Sequence, residues 1–245
     1  LIHGLLEQVL KVIPETLSPE IQKEYKLTSK KDAVLNIHFP KSDNLLVQAI
    51  RRLKFEEFFF IQLSLLKMKQ HRKKINLSYP FSNIGDHFNS FYKEQLPFEL
   101  TAAQKRVLKE IRMDVASGKQ MNRLVQGDVG SGKTIVALMV MLMAKDNGFQ
   151  ACLMAPTEIL ATQHFQGLEK MVNAVGMSMA LLTGSTKTAR RLVIHEALES
   201  GELDILVGTH ALLEDKVKYK NLGIAIIDEQ HRFGVSQRSK MWKKN

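Results

Sequence analysis

From residue 97 onward, short apolar runs alternate with longer amphipathic ones. The runs at 121–126, 149–155, 177–183, 204–209 and 223–228 have the length and composition of buried strands, and the segments 101–117, 133–146, 158–175 and 188–200 between them carry helical spacing. Strand and helix in regular alternation predict a mostly parallel sheet with helices on both faces and ligands at the carboxyl ends of the strands. Before Pro97 the pattern is helical. Ser29 has the position of an N-cap and Pro40 that of a stop for the segment between them. From about Asn44 to Lys74, Leu46, Ile50, Leu53, Phe58, Ile61, Leu65 and Met68 recur at steps of mostly three and four without Pro or Gly, as one long amphipathic helix requires. The expected fold is therefore α/β, a phosphate-loop parallel sheet with flanking helices over 97–245, preceded by a helical region over 1–96. No internal repeat interrupts either part.

Charge sharpens this picture. The chain carries 35 Lys and Arg against 25 Asp and Glu, a formal +10, which favours a polyanionic partner such as nucleic acid. The excess is shared, with 15 basic and 10 acidic side chains before Pro97 and 20 and 15 from Pro97 onward. The densest run, Lys67–Lys74, suits either phosphate contact or the negative end of the long helix. Phe58, Phe59 and Phe60 read as packing residues rather than base-stacking ones. The single cysteine, Cys152, lies in the apolar run ACLMA and reads as a small buried hydrophobe. No apolar stretch approaches the roughly 20 residues of a membrane span, and no signal peptide is recognisable, so no membrane partner is expected and a reducing cytoplasm fits best. A start at Leu1 rather than Met leads us to expect a piece of a longer protein.

The candidate chemistry lies between the first apolar run and the helix after it. Gly127–Thr134 reads GDVGSGKT, the GxxxxGK[ST] pattern, in the strand-to-helix setting that gives the pattern its meaning. Gly127, Gly130 and Gly132 let amide groups turn inward around phosphates, and the following helix aims its positive end at them. Lys133 would reach the β and γ phosphates of ATP, and Thr134 would place its hydroxyl on Mg²⁺. The apolar run 223–228 ends in two acids: Asp228 suits the Mg²⁺ shell, and Glu229 suits a general base for the attacking water. Lys133, Asp228 and Glu229 are thus the candidate catalytic set.

The sequence Asp228-Glu229-Gln230-His231 resembles motif II of superfamily 2 helicases, and its continuation HRFGVSQR resembles the RecG family of branched-DNA helicases. The resemblance implies a RecA-like first motor lobe over 97–245, with Gln230 and His231 at the nucleotide, and a linker region over 1–96 that follows a wedge domain not contained in this chain. PFELTAAQKRVLKEI resembles the family's adenine-recognition segment, which implies that Gln104 bonds the adenine edge and Phe98 stacks on the base. APTEILATQH, LLTGS and GTHALL resemble its DNA-facing motifs, which implies DNA roles for Pro156, Thr157, Gly184, Thr209 and His210. The implied activity is ATP-driven translocation on double-stranded DNA, remodelling forks and Holliday junctions in repair and recombination, by a monomer.

No motif III, second lobe or arginine finger follows in this sequence. In such motors ATP lies between two lobes, so this piece alone is expected to bind nucleotide poorly and turn it over slowly. Two alternatives remain open: the motor of a transcription-repair coupling translocase, and a nucleotide-gated DNA-binding module without turnover.

Overall fold

The computed structural model describes residues 10, 12–75, 78–96, 98–234, 237, 240, 241 and 244, with the side chains of residues 69 and 71–75 left out. The side chains of Lys69, Arg72, Lys73 and Lys74 in the basic run, the boundary residue Pro97 and parts of HRFGVSQR therefore lie outside the described residues. Contacts divide the chain into two compact units, Leu1–Ile75 and Asn76–Asn245.

In the first unit, helix α1 (Pro19–Glu24) starts on its proline, and α2 (Lys30–His38) is capped by Ser29, whose hydroxyl accepts from the Asp32 amide. The long helix α3 (Asp43–Ile75) has the extent that the periodicity predicts. Its first half packs on α2 through Ala33 and Ala49 and buries Arg52 completely. Arg52 is held by Glu56 at 2.6 Å and by Glu15, and Lys30 adds a third contact to Glu56 at 2.8 Å. A fully buried guanidinium is tolerated only with such partners. The second half differs from the expectation: Phe58, Ile61, Leu65 and Met68 are exposed, and Phe59 instead stacks along the helix with Phe55 at 6.0 Å. The helical period is real there, but among the described residues no element of this unit lies opposite it.

The second unit begins with α4 (Asp86–Ser90) and a π-helical turn, Phe91–Gln95. It continues through α5 (Ala102–Ala116), α6 (Lys133–Asp146), β1 (Gln150–Met154), α7 (Glu158–Ala174), β2 (Met179–Leu182), α8 (Thr188–Ser200), β3 (Ile205–Gly208) and β4 (Leu222–Ile227). The strands pair in parallel in the order β2-β3-β1-β4. Alternation along β1 sends Ala151 and Leu153 into a core shared with α5, α6 and α7, and Cys152 and Met154 into one shared with α8, Phe233 and Met241. This is the three-layer α/β sandwich that the alternation predicts. Cys152 is buried, and desolvation pushes its thiol up to about 12, so it is an inert core residue.

Residues 121–126 depart from the expectation, because they form no strand and leave β4 at the edge of the described sheet. Met121 and Val125 pack on the core, but Leu124 is 66% exposed, and Arg123 is drawn to Glu110 and Asp114 on α5 at 2.7 and 2.8 Å.

The segment before Pro97 is drawn into this unit by one carboxylate. Asp146, at the end of α6 with its side chain 1% exposed, accepts from the amides of Gly85, His87 and Phe88 at 2.9–3.1 Å and bonds His87 Nδ1 at 2.9 Å. It thereby caps α4, whose own N-cap, Gly85, has no side chain to do so. Phe81 and Phe91 follow into the core. Asp146→Ala is expected to cost about 3 kcal/mol by leaving several buried donors without acceptors, measured as a fall in the urea midpoint.

Candidate nucleotide and nucleic-acid site

All functional candidates of the second unit except Phe98 and Gln104 lie in the phosphate loop or just past a strand's carboxyl end: Pro156 and Thr157 after β1, Gly184 after β2, Thr209 and His210 after β3, and Asp228 and Glu229 after β4. Parallel strands put their ends on one edge, so topology alone gathers these residues there.

The phosphate loop leads into α6. Gly130 and Gly132 both take φ 79°, a left-handed conformation that side chains rarely adopt. The space beside Gly130 is open, whereas a Cβ at Gly132 would meet Gln104 Nε2 at 2.3 Å. Lys133 Nζ donates to the carbonyls of Gly127 and Asp128, both at 2.8 Å, so its ammonium already lies within the loop. Gln104 closes the capping box of α5, accepting from the Thr101 amide at 2.8 Å, and donates to the Ser131 carbonyl at 3.0 Å. It is thus fastened to the phosphate loop, and Phe98, 48% exposed, precedes it. Gly132→Ala is expected to weaken nucleotide binding at least tenfold, through backbone strain of about 1–3 kcal/mol and the clash with Gln104. Gly148, at the same φ with nothing within 4 Å, is the control. A fluorescent nucleotide titration that finds Gly132→Ala no worse than Gly148→Ala contradicts this.

Opposite the loop, Asp228 is clamped at both oxygens. Oδ1 accepts the Glu229 amide at 2.9 Å, and Oδ2 lies 2.8 Å from His164 Nε2 on α7. The His164 hydrogen bond, opposed by partial burial and aided by the Glu229 amide and the Lys133 charge, holds the carboxyl below its usual range. An anionic Asp228 near the Lys133 ammonium, with a glycine cradle leading into a helix, fits a Mg²⁺-nucleotide. Glu229 has φ 48°, a rare conformation for a non-glycine residue, and lies 3.4 Å from His231 Nδ1. Such strain is typical of sites where a side chain must face a ligand. Glu229, Gln230 and His231 are all exposed at this lip.

On the other part of the edge, Thr157 caps α7, its hydroxyl accepting from the Leu160 amide at 3.2 Å. Next to it, Glu158 accepts from the Ser185 hydroxyl at 2.7 Å and the Ser185 amide at 3.1 Å. The Ser185 hydroxyl, together with the amides of Ser185 and Gly184, keeps this exposed carboxylate below its usual range. The amides of Gly184, for which the resemblance implies a DNA role, and of Ser185 are thus engaged internally in this structure. Arg191 braces the same loop through the Thr183 carbonyl at 2.6 Å. His210 is exposed, but Thr209 is not: it is 1% exposed, and its hydroxyl is buried with no partner among the described residues. The position expected to face DNA is sealed, because β3 is an interior strand and the Thr209 amide turns inward to the Leu182 carbonyl.

Sequence reasoning missed His164, Glu158 and Arg191. His164 lies seven residues past the cap Thr157, about two helical turns, and that spacing was the only available signal.

Fold and edge together define a parallel α/β domain with a glycine-rich loop leading into a helix and an acid pair past a strand. Residues 101–245 match the DEAD/DEAH box helicase family, and the chain belongs to that family. It is 47% identical over 232 residues to the ATP-dependent DNA helicase RecG of Synechocystis sp., covering 95% of this chain and 28% of that protein. It is 44% identical over 245 residues to RecG of Bacillus subtilis, covering 99% and 36%. A solved structure of RecG bound to a three-way DNA junction superposes with TM-score 0.77 at 42% identity, covering 94% of this chain and 31% of that one. The chain therefore spans about a third of the length of the curated relatives it matches.

Proposed function

We propose that the full-length protein is an ATP-dependent DNA helicase of the RecG type that remodels branched DNA, such as stalled forks and Holliday junctions, and that this chain supplies its ATP site and part of its DNA-tracking edge. The observation that carries this reading is the placement of the Gly127–Thr134 loop and the Asp228-Glu229 pair on one carboxyl edge, in a chain 47% identical to a RecG helicase over 95% of its length. Residues 1–96 then form the linker region, with its residues from 78 onward packed into the sheet-bearing unit, and 97–245 the first motor lobe, working as a monomer in the cytoplasm.

In this site the amides of Gly127, Gly130 and Gly132 take the phosphates, and Lys133 exchanges its two loop carbonyls for phosphate oxygens. Thr134 and Asp228 hold Mg²⁺, which neutralises charge on the phosphates when bound. Glu229 orients and deprotonates the attacking water, with Gln230 and His231 beside the phosphates. Phe98 and Gln104 take the adenine, Gln104 through whichever donor and acceptor capacity its capping bonds leave. Pro156, Thr157, Gly184 and His210 line the DNA edge, where contacts to phosphates are sequence-blind. Thr209 has no part in it.

ATP turnover by the full-length protein, measured without DNA, with linear duplex and with a three-way junction, tests this reading. We expect stimulation, greater with the junction. Tight nucleotide binding with no stimulation by any DNA replaces the motor with a nucleotide-gated binding module.

A further inference from the structure

His164 and Asp228 lie 64 residues apart in the chain, and the fold alone brings Nε2 and Oδ2 to 2.8 Å. The partner of the other oxygen, the Glu229 amide, comes with the chain itself as the next residue, so it cannot choose the rotation of the carboxylate independently. His164 can, because it comes from a different element. That element is well anchored: α7 runs 17 residues, is capped by Thr157, and buries Ala161, Leu168 and Val172.

A purely structural role explains this contact poorly. The Asp228 side chain is 30% exposed and the His164 side chain 16%, so water still reaches the pair, and a contact open to water adds little to stability. An aspartate at a solvent-accessible lip needs no imidazole to be tolerated there. What the imidazole supplies is orientation: with both oxygens held, the rotation of the Asp228 carboxylate is fixed, within reach of the Lys133 charge.

We propose that His164 is a positioning residue for the motor's ATP site, fixing the rotation of Asp228 so that the carboxylate meets Mg²⁺-nucleotide without first being reordered. This rests on the reading of that edge as an ATP site. His164 touches neither nucleotide nor reacting water; it acts through Asp228. Its removal lets the carboxylate swing, so that more Mg²⁺ is needed to reach the same nucleotide occupancy, while binding of nucleotide without the ion is left as it was.

The test is the Mg²⁺ concentration that half-saturates binding of a fluorescent ADP analogue to the full-length protein. His164→Ala is expected to raise it about tenfold, the lower end of what removing a partner of a metal ligand costs. His164→Gln, whose amide nitrogen reaches about as far as Nε2, restores most of the loss, and His164→Asn, which is too short to reach Oδ2, does not. In an Asp228→Asn background, His164→Ala has no further effect. An unmoved half-saturation in His164→Ala, or an equal rise in the Asp228→Asn background, overturns the inference. If His164→Ala does not fold, His164→Asn replaces it with the same two outcomes. A wild-type protein whose nucleotide binding ignores Mg²⁺ overturns the ATP-site reading and this inference together, whereas a Mg²⁺-dependent wild type with an unmoved variant overturns this inference alone.

Discussion

Replacing Lys133 by alanine is expected to reduce DNA-stimulated ATP turnover of the full-length protein by about 10²- to 10³-fold or more, the scale of removing one preorganised charge from a transition state. The ammonium lies inside the loop at 2.8 Å from two carbonyls, so it is held where phosphate charge would gather and needs little reorganisation to meet it. DNA binding should survive the change, because Pro156, Thr157, Gly184 and His210 occupy other loops of the edge. Turnover assays paired with a junction-binding titration check both halves. Turnover that persists in Lys133→Ala would mean that the loop cradles something other than the reacting phosphates.

Replacing Glu229 by glutamine should separate binding from chemistry. The amide preserves shape and reach but cannot take a proton, so turnover should fall about 10²- to 10⁴-fold, the usual contribution of a general base, while nucleotide affinity stays within a few-fold. The residue is held at φ 48° on an exposed lip, and glutamine can adopt that conformation as readily as glutamate, so the fold should be untouched. Single-turnover hydrolysis and nucleotide titration on the same preparation give the comparison. Unchanged hydrolysis would assign the base elsewhere, and a loss of affinity equal to the loss of turnover would give Glu229 a binding role.

The local elements were legible because their signals are local. Helices α6, α7 and α8 lie within a residue of where spacing predicts them, and the cap Ser29 is written in one residue. The phosphate loop and the acid pair were legible for the same reason, since each is a contiguous motif whose chemistry follows from residue type. The strand expected at 121–126 was not, because a short apolar run becomes a strand only if a neighbour pairs with it, and Arg123 is drawn instead to Glu110 and Asp114. Likewise the period along α3 predicts a buried stripe, but burial needs an opposing surface, and among the described residues of their unit Phe58 and Leu65 have none.

Sequence by itself determined the alternation of strand and helix, the parallel sheet, the glycine-rich loop at 127–134 and the acid pair at 228–229, because periodicity, glycine conformation and side-chain chemistry act over a few residues. Tertiary structure alone decided that Asp146 draws the segment before Pro97 into the sheet-bearing unit, that Thr209 is sealed while His210 is open, and that His164 meets Asp228. Each of those depends on which residues distant in the chain share a few ångströms of space, and no pattern along a single chain encodes that distance.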